Sequence, residues 1–147
     1  MRYVKFEESF DPTDYLAVLP QVAASLPPGA RAFATDPDHF DFYGVRCVKD
    51  LDFGGTEYQV GEESVSITLT LLPNPFKHDE TLVIKYSDVT SFVLEVDERP
   101  EIGPRFGSLA LAEILPHEAG CSHEIEFLNG RVTVICADLE ATWQAPS

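Results

Sequence analysis

The chain has 147 residues, 44% of them hydrophobic, which suits one domain with a sizeable core and argues against global disorder. Ten Lys and Arg stand against 25 Asp and Glu, giving a formal charge of −15 at pH 7. A surface this negative repels nucleic-acid phosphates and anionic lipid headgroups, so neither is expected as a direct partner.

In chain order, "RYVKFEE" alternates well enough for an opening strand. "FDPTDYLAVLPQVAASLPPG" reads as a helix, with Asp11 to cap it, Pro12 in the first turn and Asp14 at the positive end of the dipole. Phe10 and Tyr15 stand at staple spacing, and Tyr15, Leu19, Val22 and Leu26 make one apolar stripe. Pro20 removes a donor, which predicts a kink or two short helices, and Pro27-Pro28-Gly29 closes the segment.

From about residue 40 the period changes to two. In "YGVRCVKDLDF", Val45, Cys47, Leu51 and Phe53 fall on one face, and Gly54-Gly55 predicts a hairpin turn into "TEYQV". "SVSITLTLL" alternates most cleanly, with Val65, Ile67, Leu69 and Leu71 facing one way, until Pro73-Asn74-Pro75 breaks it. "TLVIKY" and "SFVLEV" suggest a further hairpin, and "GSLALAEIL" another strand. The expected fold is α+β, a single domain over 1–147 of predominantly antiparallel β-sheet, with barrel closure as a variant and one kinked N-terminal helix packed against the sheet. No stretch approaches the roughly 20 apolar residues of a membrane helix, and "MRYVKFEESF" lacks the apolar centre of a signal peptide. Three cysteines without a C-x-x-C pair suit a reduced, cytoplasmic setting.

The stretch from Pro116 to Glu140 concentrates histidine and cysteine. A type I′ turn at Asn129-Gly130 would pair Phe127 with Val132, Ile125 with Val134, His123 with Cys136, and Cys121 with Asp138. Cys121, His123 and Cys136 are then chemically suited to zinc, but paired short cysteine spacings are absent and buried thiols commonly serve as core. In that register a Cys121–Cys136 disulfide is disfavoured, because the two lie on a diagonal. No catalytic motif emerges. His117-Glu118 and His123 do not match HExxH spacing, and Asp97, Glu98 and Glu113 read as solvated carboxylates rather than an acid–base pair. No cofactor is expected.

A hairpin through Gly54-Gly55 would crowd Asp50, Asp52 and Glu57 on one outer face, with Glu62 and Glu63 just beyond. Like charges across a sheet are destabilising, so these five are the candidate contacts for a basic protein partner. The second half, from "LVIKYSDVTSFVLEV" through "LAEILPHEAGCSHEIEFLNGRVTVICADLEATW" (residues 82–143), resembles small bacterial domains of the immunity-protein type found in polymorphic toxin systems. The resemblance implies a non-enzymatic protein that neutralises a cognate toxin, and it assigns no residue a role. Occlusion of a basic, nuclease-like toxin is the leading functional expectation. The alternative is a barrel-like domain holding a small apolar ligand or metal inside, near Cys121, His123 and Cys136.

Overall fold

A computed structural model describes residues 1–6, 10–97 and 106–145. Its elements are β1 (Lys5–Phe6), β2 (Phe10–Asp11), α1 (Thr13–Ala23), α2 (Pro28–Ala34), β3 (Asp52–Val60), β4 (Val65–Leu72), β5 (Thr81–Val96), β6 (Leu109–His117), β7 (Gly120–Phe127) and β8 (Gly130–Gln144). Strands β3 to β8 form one antiparallel sheet in the order β3-β4-β5-β8-β7-β6, and β1 and β2 form a small ribbon. The outer strands approach at one end only, where Asp50 N–H donates to Leu109 O, Leu109 N–H to Leu51 O and Phe53 N–H to Gly107 O. The sheet is not closed, so the barrel variant is set aside.

α1 begins after Asp11, whose Oδ1 accepts the Thr13 N–H at 2.9 Å, and it buries Tyr15, Leu19 and Ala23. Pro20 sits inside it, exposed. The expected single helix is two. Pro28 opens α2 rather than ending α1, because proline fits a first turn where its missing N–H has no partner to lose. Two groups from elsewhere fix the ends. Asp138 of β8 accepts the N–H groups of Gly29 and Ala30 at 3.0 and 2.9 Å. Arg31 reaches back to the end of α1 and the link that follows it, with Nε donating to Ala23 O at 2.8 Å and Nη2 to Leu26 O at 3.0 Å.

β4 occupies its expected span, with Ile67, Leu69 and Leu71 buried against the core. Other expectations are corrected. Residues 43–51 form turns rather than a strand, although Cys47, Val48 and Leu51 are buried. Gly54-Gly55 is not a turn: β3 runs through it with a bulge between Phe53 and Gly55, and the chain reverses instead at 61–64. A Cβ on Gly54 would meet Thr70 O at 2.9 Å, and Gly55 has φ +147, so both glycines serve the bulge. "TLVIKY" and "SFVLEV" belong to one strand, β5, bent where Asp88 adopts φ 51 and the pairing shifts between Val89 and Ser91. The side chain of Phe10, invoked for the staple, lies outside the described residues.

Candidate functional site

The histidine–cysteine stretch forms the β7–β8 hairpin, shifted by two residues from the expected register. Phe127 pairs with Gly130, Ile125 with Val132, His123 with Val134, and Cys121 with Cys136. The loop is Leu128-Asn129, and neither Asn129 nor Gly130 has the positive φ of a type I′ turn. Gly130 is needed for space, since a Cβ there would lie 2.3 Å from Glu95 O and 2.4 Å from the Phe106 ring. A slip of two leaves every side chain on its expected face, so Cys121, His123, Ile125 and Phe127 are all buried as the alternation requires.

The slip changes the chemistry. Cys121 and Cys136 face each other directly, with Sγ atoms 3.7 Å apart, fully buried and unbridged. The diagonal argument against their approach therefore fails. Their hydrogen bond and their burial push the Cys136 thiol far above its ordinary range. His123 does not join them. Its Nδ1 is hydrogen-bonded to the Tyr86 hydroxyl at 2.7 Å, and burial, with a smaller contribution from His39, lowers its pKa to about 3. Burial likewise drives Tyr86 well above the usual phenol range. His39 donates from Nδ1 to Phe33 O at 3.0 Å, lies against the Phe33 and Phe40 rings, and has its pKa lowered to about 4, chiefly by burial. Among the described residues no three His, Cys, Asp or Glu side chains are grouped to hold a metal ion. Cys121, His123 and Cys136 are core side chains here.

Other reactive groups are also built into the fold. Glu113, expected as a solvated carboxylate, is buried and accepts the N–H groups of Arg2, Tyr3 and Val4 at 2.7, 2.6 and 2.8 Å. His78 donates from Nε2 to Cys47 O at 2.7 Å and accepts the Asn74 N–H on Nδ1 at 3.1 Å, which holds the β4–β5 connection against residue 47. Asp138, expected opposite Cys121, pairs with Ser87 of β5 and caps α2. Asp97 lies 3.7 Å from Arg131, and Glu98 lies outside the described residues.

The five candidate acidic contacts separate. Asp50 lies between Lys49 Nζ at 3.1 Å and Lys77 Nζ at 3.3 Å, with φ 74. Burial acts to raise its pKa, and the two lysines outweigh it, so the carboxyl stays below its usual range. Asp52 starts β3 opposite Leu72, and Glu57 is further along, opposite Thr68. The crowded triad of Asp50, Asp52 and Glu57 does not form, because the turn that would assemble it is absent. Glu62 and Glu63 are together in the β3–β4 loop. They line an open groove of about 410 Å³ with Val60, Val65, Val89 and Asp88. Among the described residues no cation approaches Glu62, Glu63 or Asp88 within ion-pair distance. Comparison with protein-family models, curated proteins and solved structures finds no match.

Asp88 is the groove residue that sequence reasoning missed. Its signal was the polar break "SDVT" between two apolar runs, which marks a bend in one strand as readily as a turn between two.

Proposed function

We propose that the protein is a non-enzymatic, cytoplasmic binding protein for a basic polypeptide, acting as an immunity protein acts when it occludes a toxin. One observation carries this reading. Cys47, Cys121, Cys136, His39, His78, His123 and Glu113 are buried and hydrogen-bonded within the fold, while Glu62, Glu63 and Asp88 border an open groove with no cation opposite them among the described residues. Five of the cations are engaged elsewhere: Arg31 on the end of α1, Arg46 with Glu80 at 2.8 Å, Lys49 and Lys77 with Asp50, and Arg131 with Glu95, Asp97 and Glu126. Exposed acids left uncompensated speed encounter with a positive surface and repel wrong partners. Glu57, on the same projecting hairpin, belongs to the proposed face, as does Asp52 at its base. Asp50 contributes less, its charge being met by two lysines.

The test is recovery of the partner. Tagged protein purified from its native host should carry a basic protein that dissociates as salt rises from about 0.05 M to about 0.5 M. The Glu62→Lys/Glu63→Lys double variant should weaken the complex at least tenfold. Association indifferent to salt and to that reversal refutes the reading.

A further inference from the structure

How such a partner is held can be taken further, on the basis of the polypeptide-binding reading. β5 is paired with β8 along its whole length, Thr81–Val96, but with β4 only from Leu82 to Tyr86. One edge of Ser87–Val96 therefore has no strand beside it among the described residues. A bare edge presents N–H and C=O groups that template another strand, and native edges are commonly guarded by lysine, proline or a bulge. Here the bulge lies at the start of the segment. Beyond it "SFVLEV" contains neither lysine nor proline, and its one charge, Glu95, is turned to Arg131 on the β8 side.

Apolar side chains at this end are exposed. Leu94 is 38% and Val96 56% exposed, on the face shared with Val132 and Gly130. The neighbouring β3–β4 hairpin projects past the core, with every residue from Thr56 to Ser64 exposed and Val60 at 75%. Between hairpin and strand lies the groove, with Val60, Val65 and Val89 as its apolar part and Glu62, Glu63 and Asp88 as its acidic part.

We infer that this edge docks an extended, basic segment of a partner polypeptide, which adds as a strand along β5. Main-chain hydrogen bonds to Ser87–Val96 would supply affinity. Alternate apolar side chains would enter the groove, and lysines or arginines would meet the three acids. A second copy of this chain is the poorer occupant, since edge-to-edge pairing would bring together two chains of formal charge −15.

The probe is a terminally blocked peptide of about ten residues alternating lysine and valine, a length matched to the open edge. Two analogues carry N-methyl groups, one on each edge of the extended peptide. Calorimetry should show salt-sensitive binding of the parent, at least tenfold weaker binding of one analogue, and little change with the other. Amide exchange within Ser87–Val96 should slow on binding. The Glu62→Lys/Glu63→Lys variant should lose at least tenfold. Equal binding of both analogues would overturn strand addition while leaving the acidic-face reading intact. Loss of binding in neither the methylated peptides nor the charge-reversal variant would overturn both. Failure of the parent peptide to bind, or a dimer by sedimentation that occupies this edge, overturns the inference, and the acidic-face reading is then judged by partner recovery.

Discussion

Glu113 lies in β6 between Ala112 and Ile114, all three buried, a position where an unpaired carboxylate would be strongly unfavourable. Three backbone N–H groups from Arg2, Tyr3 and Val4 make it tolerable and fasten the start of the chain to the sheet. Glu113→Gln replaces one acceptor oxygen with an NH₂ group facing donors. It should lower stability by ~2 kcal/mol in urea unfolding, and an unchanged midpoint would refute the anchoring role. His39 and His123 make a pH-dependent contribution. Their folded pKa values, about 4 and about 3, lie below the unfolded value of 6.5, because burial disfavours the imidazolium. The unfolded state then binds more protons below about pH 6.5. The stability from keeping both rings neutral is complete above that pH and is lost as pH falls toward the folded values. The expected slope approaches ~1.4 kcal/mol per pH unit for each histidine. Urea titrations between pH 7.5 and 5 measure it, and a flat profile would mean that the rings are not buried neutral. The Glu113 contacts are far from local in sequence: Glu113 and Val4 are 109 positions apart. Composition shows that the groups exist, and only folding shows which partners they meet.

Among the elements, β4, β7 and the apolar face of β8 were legible, because a half-buried strand must alternate and nothing else in the chain mimics that pattern so cleanly, whereas β6 was legible only as a strand. Turns were less legible. Gly54-Gly55 and Asn129-Gly130 carry the residues of tight turns, yet the first pair forms a bulge and the second relieves a clash with Glu95 and Phe106. Glycine reports a backbone or packing requirement without saying which. α2 went unrecognised because its seven residues begin Pro-Gly-Ala, and its N-terminus is capped by Asp138 from a distant strand. Asp138→Ala should therefore cost ~1–2 kcal/mol by chemical denaturation, as for the loss of an N-cap. A loss below about 0.3 kcal/mol would show that α2 is held by packing alone.

Over the whole molecule, charge and fold are only loosely linked. Arg31, Arg46, Lys49 and Lys77 form local pairs and caps, and Arg131 ties β7, β8 and β5 through Glu126, Glu95 and Asp97, while the acids on the exposed β3–β4 hairpin and the β5 bend are left without an ion pair among the described residues. Screening should then relieve more repulsion than it removes attraction. The melting temperature should rise by several degrees between about 10 mM and about 300 mM NaCl, and a fall would mean that the few ion pairs outweigh the excess negative charge. Strand alternation, the apolar content and the charge excess are properties of the linear chain, and they suffice for an antiparallel sheet with an anionic exterior. They do not specify register, because a slip of two residues preserves every face while exchanging the partner of Cys121 from Asp138 to Cys136. They also leave undecided which acids stand together. Tertiary structure alone paired Asp50 with its lysines and brought Asp88 beside Glu62 and Glu63, since contacts between distant segments depend on where the strands bend and end.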